Sequence, residues 1–267
     1  MNKEIKIKDI TDCLEIVAPL HWQEDYDNAG LIIGNKEEKC TGVIICLDVF
    51  KQTLLEAIDK GCNMIVAHHP FIYKGLKKID FDRQINDILK LAFTHNIAIY
   101  AAHTNMDNAK TGVSYMLSKA LEVENICRLE KSRFPNEENF WGGGAIGELK
   151  SETMVKEYLL RIKKNLGIGA IKYIGDEKKK IKRIGFCGGS GSFLIENAID
   201  KGCDIYLTGD LKYHDYLSNE DKIVLADIGH FESEKFIKQR FFDIISEKIR
   251  NFAPLYLSDE NNRVKFI

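Results

Sequence analysis

The chain has 267 residues, 45% hydrophobic and 29% charged, with a formal net charge of −2. That composition is ordinary for a globular protein with enough chain to bury one large α/β core or two small ones. It offers neither a basic stripe for nucleic acid nor an apolar run of the roughly 20 residues that a membrane-spanning helix needs.

Residues 1–6 alternate charge with Ile5 and lack an apolar signal region, so the expected location is the cytoplasm. The seven cysteines include no C-x-x-C pair. Their odd number and apolar settings, such as Ile44-Ile45-Cys46-Leu47, assign them to the core rather than to a disulfide framework.

Along the chain, Ile10, Leu14, Val17 and Ala18 predict an amphipathic helix over residues 8–18, ended by Pro19. Tyr26-Asp27-Asn28-Ala29-Gly30-Leu31 reads as a turn running into a strand at 31–33. A βαβ unit follows, with a strand at 42–48, a helix at 51–60 ending at Gly61, and a strand at 63–67. Next come a helix at 82–94, a strand at 97–102 and a helix at 111–121. This alternation predicts a mostly parallel sheet flanked by helices. Residues 128–181 differ in character, with a polar stretch, the run Gly142-Gly143-Gly144, a charged helix over 151–165 and a charged turn at 176–180. They read as a connector or small subdomain between a first lobe, 1–127, and a second, 182–267.

The second lobe repeats the first. Ala57-Ile58-Asp59-Lys60-Gly61-Cys62 recurs unchanged 141 residues later as Ala198-Ile199-Asp200-Lys201-Gly202-Cys203, and Cys46 falls on Cys187 at the same offset. Six identical residues in a row predict a duplicated strand–helix–strand core.

The chemistry collects at predicted strand ends. His68 and His69 follow the apolar run Met64-Ile65-Val66 and precede Pro70, which ends strand pairing. At the carboxyl end of a strand in an open α/β sheet such residues line the crevice where ligands bind; taken alone, the pair also reads as two surface histidines in a turn. His103 and Asp107 follow the strand at 97–102, and His230 and Glu234 follow an apolar strand at 223–228, each pair spaced four apart. Imidazole and carboxylate without thiolate suit Zn, Fe(II) or Mn. Six such groups are too many for one catalytic zinc and suit two divalent ions roughly 3.5–4 Å apart, a centre that activates water and polarises the bond under attack.

Other histidines are weaker candidates. His95 ends a helix and His21 precedes Trp22. In Thr208-Gly209-Asp210-Leu211-Lys212-Tyr213-His214, Gly209 and Asp210 stand where the first lobe has its histidine pair. His214 or Asp210 is then an acid–base group or a partner that orients a ligand. Gly188-Gly189-Ser190-Gly191-Ser192 is either an anion-binding turn at a helix start or a tight turn alone.

These motifs resemble the dinuclear-metal-centre family of GTP cyclohydrolase 1 type 2 homologues, the NGG-one-interacting-factor-three-like family. The matching residues are His68-His69-Pro70-Phe71, His103 with Asp107, Thr208-Gly209-Asp210, and Asp227-x-Gly229-His230-x-x-Ser233-Glu234. Asp27-Asn28-x-Gly30-Leu31 and Gly144-x-Ile146-Gly147 extend the resemblance over nearly the whole chain. It implies two pseudo-repeated α/β lobes in a protomer of a toroidal homohexamer, with two metals in the cleft between the lobes. It further implies His68, His69, Asp107, His230 and Glu234 as ligands, Glu234 as the bridge and His103 as a neighbouring cleft residue. Tyr26 departs from the family, many of whose members have Trp there, and the chain lacks the long inserted domain that some carry.

The function expected from this resemblance is hydrolytic ring opening of a cyclic amidine in a small-molecule substrate of nucleotide type. Catalysis would fall to Glu234, with His103 or His214 moving protons. The alternatives are a two-metal phosphoesterase and a non-catalytic metal-binding scaffold.

Overall fold

The computed structural model describes residues 4–79, 84–249, 252, 254–265 and 267. In chain order the first elements are α1 (Ile7–Val17), β1 (Gly30–Ile33), β2 (Val43–Cys46), α2 (Lys51–Asp59), β3 (Met64–Ala67), α3 (Gln84–Thr94), β4 (Ala98–Ala101), α4 (Thr104–Asp107) and α5 (Val113–Ala120). The middle of the chain adds β5 (Glu124–Arg128), β6 (Gly144–Met154), α6 (Val155–Leu166), β7 (Lys172–Ile174), β8 (Lys180–Ser190), α7 (Ile195–Asp200) and β9 (Ile205–Gly209). It closes with α8 (Tyr213–Leu217), β10 (Val224–Asp227), α9 (His230–Glu234), α10 (Ile237–Lys248) and β11 (Leu255–Leu257). The first two positions of the expected 82–94 helix lie outside the described residues.

Two compact units result, Met1–Met106 with Ile237–Asn261, and Asp107–Phe236 with Asn262–Ile267. In the first, the sheet order is β1-β4-β3-β2-β11. Strands β11, β2, β3 and β4 run parallel and only β1 is antiparallel. Every residue of β2, β3 and β4 is buried, as expected of parallel strands covered on both faces. Their side chains Ile44, Cys46, Ile65, Ala67 and Ile99, with Ile97 just before β4, pack with Leu54 and Ala57 of α2 and Ile88 and Ala92 of α3.

The second unit has the sheet order β5-β6-β8-β9-β10-β7. Here the parallel strands are only the central β8, β9 and β10; β5, β6 and β7 join antiparallel. One face buries Val155, Tyr158, Ile162 and Leu166 of α6 against Ile184, Phe186, Ile205 and Leu207. The other buries Leu194, Ile195 and Ala198 against Cys187, Tyr206 and Leu225.

The compact units therefore divide the chain differently from the boundaries expected at 127 and 181. Residues 128–181 are no separate connector, because β6 and β7 hydrogen-bond into the second sheet. The chain end returns to the first unit for an equally physical reason. Helix α10 buries Ile237, Phe241, Ile244 and Ile245, a spacing that lines one helical face, and β11 pairs in parallel with β2. The charged helix starts later than expected, at Val155, because β6 runs on through Thr153, which pairs with Ile181.

The repeated hexapeptide does the same work twice. In α2 the Cys62 N–H bonds the Ala57 carbonyl at 2.8 Å and the Gly61 N–H bonds Ile58 at 3.1 Å. In α7 Cys203 bonds Ala198 at 3.0 Å and Gly202 bonds Ile199 at 2.9 Å. Both are Schellman caps, closed by glycines at φ 65° and 67°. Six cysteines are buried; Cys127 is exposed on edge strand β5, contrary to the expectation that all seven belong to the core. Among the described residues, no helix is long and apolar enough to cross a membrane.

Candidate metal centre

In the first unit, three neighbouring parallel strands deliver their carboxyl ends together. Strand β2 leads to Asp48, β3 to His68 and His69, and β4 to His103. Strand pairing carries on past β3, since His68 N–H bonds the Cys46 carbonyl and His69 N–H bonds that of Leu47. The rings of His68 and His69 lie 4.8 Å apart, and that of His103 is 5.4 Å from His68 and 5.3 Å from His69. The three offer ring nitrogens that all lie within 4.8 Å of one another.

Each ring is held from behind. His68 Nδ1 lies 2.8 Å from the Ala102 carbonyl, His69 Nδ1 2.9 Å from Asp48 Oδ1 and His103 Nδ1 2.7 Å from Asp27 Oδ1. A carbonyl or carboxylate oxygen only accepts, so Nδ1 carries the hydrogen and Nε2 presents its lone pair. This is the arrangement in which imidazole ligands are oriented and made more basic by an oxygen partner.

The partners are themselves fixed. Asp27 has its side chain fully enclosed and also accepts from the Thr104 N–H at 3.0 Å. Burial alone pushes its carboxyl up, but the hydrogen bond and charge of His103 and the Thr104 hydroxyl outweigh it and bring the pKa down to about 2. Asp27 is thus ionised at neutral pH. Asp48 is set by the backbone around it: the N–H groups of Leu47 and Asp48 donate to the two oxygens of Glu260, at 2.5 and 3.2 Å. Lys238 lies 3.1 Å from the same carboxylate.

The second unit presents its own donors at the carboxyl ends of β9 and β10. His230 opens α9 and Glu234 follows one turn later on the same face, with Nε2 and Oε2 3.1 Å apart. His230 Nδ1 lies 2.7 Å from Asp210 Oδ2, so this fourth histidine has a carboxylate oxygen against each ring nitrogen, unlike the other three. Asp107, at the end of α4, offers a carboxylate oxygen within 4.8 Å of one of Glu234, which is buried.

Glycines make the room. A Cβ on Gly189 (φ 60°) would collide with Glu234 Oε1, and the Gly189 and Gly191 amides are taken by Ser233 Oγ and Thr208 Oγ1, at 2.9 and 2.8 Å. The 188–192 run therefore serves close approach rather than anion binding. Gly209 stands where the first unit has a histidine because a Cβ there would meet the His230 nitrogen at 2.8 Å and the Gly189 carbonyl at 2.9 Å. Asp210, at φ 57°, adopts the left-handed conformation that Asp tolerates. Below the acids lies Cys187; burial pushes its thiol well up, and the charges of Asp107 and Glu234 push the same way, so it is a neutral neighbour.

The donor set suits a divalent cation: imidazoles and carboxylates, with no thiolate among the groups that could hold an ion. His214 is exposed on α8 with its ring edge-on to Tyr213, and it is in none of the groups that could hold an ion among the described residues. His21 and His95 are exposed. Sequence reasoning assigned no role to Asp48, the Ala102 carbonyl or Glu260. Asp48 had a usable signal, since it stands just past a buried parallel strand adjacent to β3; Glu260 had none.

The Duf34/NIF3 (NGG1p interacting factor 3) family matches residues 5–262. A Clostridium acetobutylicum protein named GTP cyclohydrolase 1 type 2 homolog is 36% identical over 232 residues, covering 86% of this chain and 85% of that protein. A Clostridium perfringens protein of the same name is 31% identical, covering 96% and 97%. A Staphylococcus aureus protein of known crystal structure superposes with a TM-score of 0.89 at 27% identity, covering 98% of this chain and 99% of that one. A Bacillus cereus protein related to NIF3 shares the fold, with a TM-score of 0.89 at 23% identity over the full length of both chains. With its fold, strand-end histidines and matched length, the chain belongs to the Duf34/NIF3 family.

Proposed function

We propose that this chain is a divalent-metal-dependent hydrolase that opens a cyclic amidine in a nucleotide-type small molecule. In this reading His68, His69, Asp107, His230 and Glu234 bind two ions, of Zn, Fe or Mn, with Glu234 as the bridging carboxylate. The observation that carries it is the shared orientation of three strand-end histidines: His68, His69 and His103 each have Nδ1 held by an oxygen, which makes Nε2 the nitrogen a cation would take, and their ring nitrogens lie within 4.8 Å of one another. The names of the relatives support the choice of reaction.

Metal ions bound there would supply a nucleophilic water at neutral pH and polarise the carbon–nitrogen bond under attack. The protein supplies position and proton transfer. Asp48, Asp27, Asp210 and the Ala102 carbonyl hold the imidazoles in one tautomer and one orientation. His103, backed by an ionised Asp27, keeps its proton on Nδ1 and offers Nε2 to take a proton from water and return it to the departing amine. The homohexamer implied by the resemblance and the cytoplasmic location expected from residues 1–6 are parts of the same proposal, the first open to sedimentation analysis.

The test starts with metal per chain on tag-free protein by elemental mass spectrometry, followed by incubation with purine nucleotides and assay for formate. About two ions per chain are expected, with formate release lost and most metal gone in Glu234→Ala. Phosphate release in place of formate would make the chain a phosphoesterase. No turnover above the variant would favour a metal-binding scaffold, and retention of both metals in Glu234→Ala would remove the bridge.

A further inference from the structure

Beside the first-unit histidines stand two aromatic rings that the core does not use. Tyr26 is 61% exposed and Tyr73 43% exposed. Their centroids are 6.3 Å apart, and Tyr73 lies 6.2 Å from the His103 ring. The pair is pinned in place. Asp27, next to Tyr26, holds His103, while Asn28 Nδ2 donates to the Ile72 carbonyl at 2.6 Å, next to Tyr73. The turn at 26–28 thus ties both tyrosines to the histidine cluster. The segment after Tyr73 carries Lys74, Lys77 and Lys78, all exposed.

We propose that Tyr26 and Tyr73 form a stacking platform for the planar heteroaromatic ring of the substrate, with Lys74, Lys77 and Lys78 taking its phosphate. Rigid, exposed aromatic faces attract planar nitrogen heterocycles regardless of sequence or ring substituents, and lysines on a neighbouring loop supply the charge that an anionic tail requires. The platform stands against His103, so a ring bound there sits beside the group assigned to proton transfer. The inference rests on the hydrolase reading for what happens to the ring, but ring binding itself needs no metal.

The experiment is calorimetric titration of metal-stripped full-length protein with guanosine 5′-monophosphate, guanosine and ribose 5-phosphate. The monophosphate is expected to bind, guanosine more weakly, and ribose 5-phosphate least. Tyr73→Ala should weaken monophosphate binding about tenfold or more. Tyr73→Phe should restore it, and Tyr26→Ala should act in the same direction. Lys77→Ala with Lys78→Ala should abolish the advantage of the monophosphate over guanosine and its sensitivity to salt. Equal binding by wild type and Tyr73→Ala, ribose 5-phosphate binding as well as the nucleotide, or no binding by wild type would each overturn the platform. Failure of the hydrolase reading looks different: the nucleotide still binds through Tyr73, and no formate appears when metal is restored.

Discussion

At the scale of the residue, the chemistry of the centre is written in hydrogen bonds to the far side of each imidazole. A histidine with a free Nδ1 chooses between tautomers and orientations; one whose Nδ1 faces a fixed oxygen has chosen already. Asp48→Asn replaces a charged acceptor with an amide that can equally turn its NH₂ toward the ring. The expected outcome is a fall in divalent-metal affinity of about 10–100-fold, read by competition with a chromogenic chelator. Asp87→Asn, which removes only an exposed pair with Lys51, is the control and should bind as the unaltered protein does. The candidate ligands were legible because Pro70 marks where a strand ends and because His and carboxylate recur after two further strands. Their oxygen partners were not. His69 and Asp48 lie 21 residues apart, and the pairing arises only from the parallel register of β2 beside β3.

At the scale of the element, a short identical sequence produced an identical local structure. The Schellman caps after α2 and α7 need a residue with positive φ, and at neither glycine is there any atom within 4 Å of where a Cβ would stand. The demand is thus purely on the backbone. Gly61→Ala and Gly202→Ala should each lower stability by about 1 kcal/mol, the cost of placing an L side chain in the left-handed region. Thermal scanning of the two variants checks this, and matched shifts are expected because the geometries match. A large loss at one site alone would mean that packing, not φ, set the requirement. The glycines at 188–191 teach the opposite lesson. Their pattern in sequence is compatible with an anion-binding turn, yet their reason is space, and space depends on Glu234 and Thr208, which are distant in the chain.

At the scale of the whole molecule, fold class was legible and the division of the chain was not. Alternating apolar runs and helical periodicities follow from local physics, so β2 through β4 and their helices fall close to their expected places. Which sheet a late segment joins is decided by pairing at long range. β11 meets β2 across more than 200 residues, and β6 joins the second sheet through an antiparallel ladder that no alternation of strand and helix announces. The same distinction governs the cysteines. Six of the seven are enclosed by these sheets and helices, and Cys127 alone lies on an edge strand with its side chain exposed. Burial pushes Cys40 up to about 12 and Cys62 and Cys203 up to about 11, and raises Cys13, Cys46 and Cys187 as well. The thiolate is the reactive form, so at pH 8 these six are both shielded and protonated. Ellman's reagent should therefore modify one thiol per native chain quickly, and all seven only after unfolding. Cys127→Ser should abolish the fast phase while leaving the unfolding-dependent phase intact. A fast phase of two or more thiols in the native protein would mean that one of the sheets opens readily, and the remaining variants would show which.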